Sequence, residues 1–385
     1  MSSKKLSIAV LGSTGSIGRA ALKIIDQYSH LFSVDLLCCN KNTKLLIEQI
    51  NKFLPKIVII NNIKTFNIIK SIKFKKKIKF LNNFNNLKTK YDKTILAISS
   101  IHGIDYGFHF IKYSHEMLIA NKETIVCGGK FFLQKAKKFK CNIIPIDSEH
   151  YSISTILRNI KLNELDKIYL TASGGPFINS NLKKISKVSV SEALKHPKWK
   201  MGKKISIDSA TMANKALEVM EASILFDIIP DKIKIKIHPE SKVHAAIVLK
   251  NGLVHLVAHN TSMEIPIRNT LLDNNYNLNI VDNFFFNKKR FHFSFDEINL
   301  KKFKNINSGY AALKFGPRGC IYFNVINDYL VNLYLNKKIF FYEISHKLNK
   351  LISNKKVIKN LKKKINSVND IYETISEAKS YVKNN

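Results

Sequence analysis

The stretch Leu6-Ser7-Ile8-Ala9-Val10-Leu11-Gly12-Ser13-Thr14-Gly15-Ser16-Ile17-Gly18 decides the fold. Leu6 to Leu11 is a short apolar run of the kind that forms a buried strand, and it passes directly into three glycines spaced three residues apart. Ala20 to Tyr28 then carries a helical pattern. Strand, glycine turn and helix in that order open a doubly wound α/β sheet. The glycines let the backbone turn tightly and approach a pyrophosphate, which then lies on the positive end of the following helix. A glycine turn can also be only a turn. Its place after the first strand, opening the first helix, is the context that the dinucleotide reading requires.

Outward from this motif, Val34 to Cys39, Ile57 to Ile60, Thr94 to Ile98, Met117 to Ala120 and Ile143 to Ile146 read as further strands. Helical patterns separate them, so the sheet is parallel. From Lys167 the texture changes. Ile168 to Ala172 and Ile233 to Ile237 look like strands, and Ala245 to Leu249 with Leu253 to Ala258 look like a hairpin around Asn251-Gly252. Asp273 to Phe295 is rich in Asn and aromatics without a firm period, and Ser308 to Asn385 is mostly helical. The fold class is therefore α/β: an N-terminal doubly wound (Rossmann-like) parallel sheet, a second α/β catalytic domain and a C-terminal helical domain. The expected boundaries are 1–147, 148–272, a linker over 273–300, and 301–385.

A chain of 385 residues with 45% hydrophobic content can bury a large core. Lys+Arg of 63 against Asp+Glu of 28 gives 63 − 28 = +35, a balance that invites a nucleic-acid or acidic-membrane reading. The Lys, however, is spread over every segment alongside Asn, Ile and Phe, as in Ile72 to Phe80, which looks like codon bias. No RNA-recognition or zinc-finger signature gives the charge a specific nucleic-acid partner. Five cysteines without a C-x-x-C pair fit a reduced, cytoplasmic protein. No run approaches the roughly 18 apolar residues that cross a bilayer, so no membrane partner is expected. Met1 to Lys5 leaves no room for a targeting peptide before the first strand.

Asp147-Ser148-Glu149-His150 follows an apolar strand-like segment, so Asp147 and Glu149 are expected to leave the strand end two residues apart with carboxylates on one side. In Ser209 to Glu218, Asn214 and Glu218 share a helix face. A few oxygen ligands of this kind suit Mg²⁺ or Mn²⁺. Ordinary surface acids are the other reading of either run alone. At the end of the second strand stands Asn40-Lys41-Asn42 where an NAD enzyme places an acid on the ribose hydroxyl. A cation between two amides suits a 2′-phosphate and favours NADP, whereas the bland reading of Lys41 is one more Lys in a Lys-rich chain.

Gly12 to Gly18, Ala120-Asn121-Lys122-Glu123, Asp147 to His150, Ser173-Gly174-Gly175-Pro176-Phe177, His196 to Ser206 and Asp208 to Glu218 occur in this order and spacing. Together they closely resemble the 1-deoxy-D-xylulose-5-phosphate reductoisomerase family, NADPH-dependent enzymes of the non-mevalonate isoprenoid pathway. His238 to His244 and Met263 to Ile267 continue the match, which covers essentially the whole chain and thins after Pro266. The resemblance implies that Asp147, Glu149 and Glu218 hold the Mg²⁺ or Mn²⁺ and that Ser148 and Lys122 contact the hydroxyl and carbonyl end of a small phosphorylated sugar. It places Ser173, His196, Ser209, Asn214 and Lys215 on the phosphate end and carbon backbone. Thr14, Gly15, Ser16, Ile17, Asn40, Lys41, Asn42, Asn121, Glu123 and Gly202 fall at NADPH positions. Asn40 replaces a usually small residue, and Ser99-Ser100-Ile101-His102-Gly103 departs from a usually glycine- and alanine-rich loop beside the cofactor. The family is typically a homodimer.

Within the expected catalytic domain, 183–204 shows few core-like patterns and includes Trp199, the chain's single Trp. It reads as a lid that closes over substrate; packing of Trp199 on a neighbouring helix is the plain alternative. On the residues alone His196 and His244 read as structural histidines, and Lys122 is a candidate for polarising oxygens or for proton traffic, with a structural ion pair to Glu123 or a neighbour as the plain alternative. A semialdehyde-type dehydrogenase also opens with this glycine turn, but needs a nucleophilic Cys in its second domain. None lies between Cys141 and Cys320. A basic nucleic-acid-binding protein, the rival from another class, needs clustered cations that the chain does not have.

Overall fold

A computed structural model describes residues 4–199, 201–273 and 292–384. Most of the expected linker, 274–291, and Lys200 of the expected lid lie outside the described residues. Contacts divide the chain into two units. Unit 1 takes the residues up to Thr124, Phe132–Asp147 and the segment from Met263; unit 2 takes Ile125–Phe131, Ser148–Ser262 and the C-terminal residues.

Unit 1 is built on seven parallel strands: β1 (Leu6–Leu11), β2 (Phe32–Cys39), β3 (Ile57–Ile60), β4 (Lys79–Leu81), β5 (Tyr91–Leu96), β6 (Ser114–Ile119) and β7 (Asn142–Pro145). Their spatial order is β4-β3-β2-β1-β5-β6-β7. The winding reverses between β1 and β5, and the crevice at their carboxyl ends is where such sheets bind ligands. Ile8 to Leu11 are fully buried, as a parallel strand covered on both faces must be, which is why the run is continuously apolar. Helices α1 (Ser16–Gln27), α2 (Thr43–Phe53), α3 (Ile63–Lys70), α4 (Gly103–Phe110) and α5 (Lys122–Phe139) connect the strands. In α1 the buried face is Ala21, Leu22, Ile24 and Ile25, and each large side chain there stabilises by roughly 1.5–3 kcal/mol. The helix starts at Ser16, earlier than the Ala20 read from the pattern, because Gly15 is already its N-cap.

In unit 2, a four-stranded sheet, β8 (Leu165–Ala172), β9 (Ile233–Ile237), β10 (Val243–Leu249) and β11 (Val254–Ala258), has the order β11-β10-β8-β9. The β10–β11 hairpin turns through Asn251 and Gly252, with Gly252 at φ +88°, the freedom the turn demands. Helices α6 (Ser148–Leu157), α7 (Leu182–Ser186), α8 (Val190–Ala193), α9 (Lys203–Ala210) and α10 (Ala213–Leu225) belong to this unit. One core joins Ile168, Leu170, Ile233 and Ile235 of the sheet to Ile153 of α6, Val219 of α10 and Phe303. The 183–204 segment is not devoid of core: Val188 and Ala193 are buried.

Helix α11 (Glu264–Leu271) contacts α1 and counts with unit 1. Buried Lys93 of β5 secures this return, its ammonium donating to the Thr270 carbonyl at 3.4 Å and pairing with Asp273 at 2.8 Å. After it come α12 (Lys304–Lys314), α13 (Pro317–Leu335), α14 (Phe341–Ile352), α15 (Lys355–Leu361) and α16 (Val368–Lys383), the expected helical C-terminal region.

Candidate active site

The glycine turn is shaped by close approach. A Cβ on Gly18 would meet the Gly12 carbonyl oxygen at 2.3 Å, and one on Gly12, at φ +89°, would meet the Ala97 carbonyl oxygen at 2.6 Å. Gly15 caps α1 without a side-chain bond, and no acid stands in the first turn, so the N–H groups of Ser16, Ile17 and Gly18, which have no acceptor within the helix, suit an anion. Gln49 donates to the Ser13 carbonyl at 2.9 Å, and the Thr14 hydroxyl lies 3.3 Å from the Cys39 thiol. Past β2, Asn40 and Lys41 are exposed, and Asn42 accepts from the Leu45 N–H as the N-cap of α2. These groups fit a dinucleotide: donors without acids, and backbone no side chain crowds.

Asn121 and Glu123 are buried at the start of α5. Between them Lys122, also buried, puts its ammonium 3.1 Å from Asp147 Oδ2, so the ion-pair reading of Lys122 holds with Asp147 as a partner. Asp147 is one peptide bond ahead of α6. The expectation that Glu149 continues the line of the strand is corrected: β7 ends at Pro145, and Ser148 and Glu149 form the first turn of α6. The Ser148 hydroxyl donates to Glu149 at 2.6 Å.

One carboxylate oxygen from each of Asp147, Glu149 and Glu218 lies within 4.8 Å of the other two. A small cation bound at about 2.1 Å closes that span with a shift of less than an ångström. Hard oxygens alone make up the set, which fits Mg²⁺ or Mn²⁺ and not a soft metal. Glu218 is 1% exposed, and Asn214 donates to it one turn away, as the i, i+4 spacing predicted. Lys215 bonds both Glu149, at 2.8 Å, and Glu218. Burial alone would lower the Lys215 pKa; the field of the two carboxylates outweighs it and holds the ammonium above its ordinary value. The sequence reading passed over His150, which is fully buried, bonds the Glu218 carbonyl at 3.0 Å and faces Glu221 at 3.4 Å.

Ser173 follows β8 in a loop whose Gly174 and Gly175 have φ of +84° and +66°. Its hydroxyl accepts the Gly175 N–H at 3.2 Å and lies 3.1 Å from His196 Nε2. His196 Nδ1 accepts the N–H groups of Lys198 and Trp199. Burial pushes the His196 pKa down to about 4. A Cβ on Gly175 would sit 3.0 Å from the Ser209 carbonyl, so this loop packs on the end of α9. Met212, left-handed at φ +60°, turns α9 into α10 and presents Ser209, Asn214 and Lys215 around one corner. Ser173, His196, Ser209, Asn214 and Lys215 thus share unit 2. Gly202, the N-cap of α9, lies there too, while the other residues expected at the cofactor lie in unit 1. Trp199 is half-buried, 6.1 Å from the His244 ring.

Three family models match the chain: 1-deoxy-D-xylulose 5-phosphate reductoisomerase over residues 8–129, its C-terminal domain over 143–226, and a DXP reductoisomerase C-terminal domain over 259–381. A 1-deoxy-D-xylulose 5-phosphate reductoisomerase of Pelagibacter ubique (strain HTCC1062) is 41% identical over 355 residues, 89% of this chain and 90% of its own. One of Wolbachia pipientis subsp. Culex pipiens (strain wPip) is 37% identical, covering 97% of this chain and 95% of its own. A crystal structure of DOX-P reductoisomerase in complex with NADPH, fosmidomycin and magnesium superposes with a TM-score of 0.88 at 26% identity, covering 98% of each chain. The Zymomonas mobilis enzyme in complex with NADPH gives 0.84 at 26% identity, again over 98% of each chain.

Proposed function

Because the chain belongs to the 1-deoxy-D-xylulose 5-phosphate reductoisomerase family, we propose that the residues gathered above carry that family's reaction. The chain is an NADPH- and divalent-metal-dependent oxidoreductase that rearranges 1-deoxy-D-xylulose 5-phosphate and reduces the product to 2-C-methyl-D-erythritol 4-phosphate, in isoprenoid precursor synthesis. The single observation that carries the site assignment is the meeting of Asp147, Glu149 and Glu218 within 4.8 Å.

Those three carboxylates hold the cation, Mg²⁺ or Mn²⁺, which when bound supplies Lewis-acid stabilisation to charge developing on adjacent substrate oxygens. NADPH supplies hydride to the rearranged aldehyde, 2-C-methyl-D-erythrose 4-phosphate. Thr14, Gly15, Ser16 and Ile17 take its pyrophosphate on the first turn of α1, and Asn40, Lys41 and Asn42 take the 2′-phosphate. Asn121, Glu123 and Gly202 complete the cofactor set. Lys122 and Ser148 meet the carbonyl and hydroxyl end of the substrate; the Lys122 ammonium keeps a proton beside oxygens that gain charge during rearrangement. The phosphate goes to Ser173, Ser209, Asn214 and Lys215, with His196 as a neutral N–H donor behind Ser173.

In this reading 1–147 serves the cofactor and 148–272 catalysis, 183–204 closes over substrate, 273–300 links, and 301–385 buttresses. A homodimer is favoured by β11, an edge strand with Val254 and Leu256 exposed and exposed Leu253 just before it, where a second copy continues the sheet. No helix among the described residues is long and apolar enough to cross a membrane, and we place the enzyme in the cytoplasm. A cysteine-dependent semialdehyde dehydrogenase is not favoured: Cys127 and Cys320 of unit 2 are buried, and burial pushes Cys320 up to about 12, far from a thiolate. Nothing favours a nucleic-acid-binding protein.

NADPH absorbance followed with 1-deoxy-D-xylulose 5-phosphate tests the proposal. Consumption that stops when the cation is chelated and resumes on adding Mg²⁺ or Mn²⁺ is expected. Consumption indifferent to chelation overturns the metal assignment.

A further inference from the structure

The loop leaving β5 carries a left-handed residue that is not glycine. Ser100 has φ +64° and is buried. Leu54 and Lys140 share that conformation as helix C-caps, where it is ordinary. Ser100 instead opens a short helical turn, Ser100–His102, beside the glycine loop: Ala97 N–H bonds the Leu11 carbonyl at 2.8 Å, and the Ala97 carbonyl is what a Cβ on Gly12 would strike. The turn thus sits where the winding of the sheet reverses, the position at which such sheets bind ligands. Left-handed backbone in an L-residue persists only when its surroundings hold it there.

Asn121 ties this turn down through its side-chain amide. Its Nδ2 donates to the Ile98 carbonyl at 2.7 Å, to the Ser100 carbonyl at 2.9 Å and to Glu123 Oε2 at 2.9 Å. Its Oδ1 accepts from the Thr124 N–H at 2.8 Å and from the Thr124 hydroxyl, capping α5. Two hydrogens serve three acceptors and both lone-pair directions are used, so the amide has no polar capacity left to offer a ligand. Gly103 is drawn tight against it: a Cβ there would lie 2.7 Å from the Asn121 side chain.

We propose that Asn121 is a positioning residue for the cofactor, stapling the left-handed Ser100 turn into the wall of the nicotinamide pocket while fixing the helix turn that carries Lys122. This rests on the reductoisomerase reading of the site and changes the part Asn121 plays in it, from direct contact to support.

Asn121→Asp separates the two duties. Aspartate caps α5 as well as asparagine does, but it has no Nδ2 donor and sets a carboxylate against two carbonyls and Glu123. Titrating full-length protein with NADPH by nicotinamide fluorescence, we expect Asn121→Asp to weaken binding about tenfold or more with the melting transition retained. Ser100→Gly added to it should recover at least about threefold, because glycine keeps the turn without the staple. Ser100→Thr, which leaves the cap untouched, should weaken NADPH binding through the backbone alone, and it stands as the test should Asn121→Asp not fold. Wild-type affinity in both Asn121→Asp and Ser100→Thr overturns the proposal, as does a loss that Ser100→Gly does not relieve. Unmodified protein that binds no NADPH overturns the family reading together with it.

Discussion

His196 and Ser173 form a hydrogen-bonded pair whose proton order the backbone dictates. Nδ1 of His196 accepts two backbone N–H groups, so the ring hydrogen is on Nε2 and is donated to the Ser173 oxygen 3.1 Å away. That oxygen also accepts the Gly175 N–H, which leaves the Ser173 hydroxyl hydrogen to point at an incoming anion. The residues donating to Nδ1 are Lys198 and Trp199, so His196 ties Ser173 to the loop that carries Trp199.

It follows that His196 stays neutral through the working pH range. Its folded pKa of about 4 lies below the unfolded value of about 6.5. Its contribution to stability is therefore present above the unfolded value and is lost progressively as pH falls from there towards 4. Ring-proton NMR, assigned by comparison with His196→Gln, should show no His196 titration between pH 5.5 and 8; a midpoint near 6.5 would contradict the neutral donor.

Asp147→Asn and Glu149→Gln should each nearly abolish turnover with the fold retained, while the melting transition falls because each removes a carboxylate from a buried ammonium, that of Lys122 or Lys215. Glu218→Gln should abolish turnover too and lower the melt most, because Glu218 is the most buried of the three. It removes one of two counter-charges from buried Lys215, at about 2–3 kcal/mol. Activity assays and thermal melts on the three variants check this; any variant keeping near-parent activity at limiting metal shows the three-carboxylate site to be wrongly drawn.

The Asn40-Lys41-Asn42 cluster should favour NADPH over NADH by about tenfold in kcat/KM, roughly 1.4 kcal/mol. Lys41 is exposed, so Lys41→Asp should narrow or reverse the preference without unfolding the protein. Steady-state kinetics with both cofactors decides; equal use by the unmodified enzyme goes against the 2′-phosphate assignment.

Trp199 gives a single-residue report on 183–204. Half-buried beside His244, it should shift its emission to the blue when a phosphonate carrying a metal-chelating hydroxamate is titrated in with Mg²⁺. The same phosphonate without the chelating group should bind far more weakly. An unshifted spectrum at saturation would remove closure from the account and leave the metal site standing.

These residues also mark where sequence reading stopped. Leu6–Leu11 and Ile57–Ile60 were legible to the residue, because the buried stretches Ile8–Leu11 and Ile57–Ile60 are continuously apolar, as strands covered on both faces must be. Asn214 and Glu218 paired as their spacing implied. Glu149 was misplaced onto a strand line because β7 stops at Pro145 and the helix that receives Glu149 begins after only two more residues, at Ser148. β4 was invisible within a Lys-rich run, and the return of α11 to unit 1 has no compositional mark. Nothing local predicts a left-handed Ser100 either, since the amide bonded to its carbonyl is that of Asn121, twenty-one residues on.

The central claim is that the chain rearranges carbon before it reduces it, and the product's methyl group reports this directly. Proton NMR of the product formed from 1-deoxy-D-xylulose 5-phosphate, NADPH and Mg²⁺ should show the methyl as a singlet, because rearrangement leaves it on a carbon bearing no hydrogen. A methyl doublet, the mark of simple reduction at the original ketone, would make the chain an ordinary dehydrogenase and contradict the account.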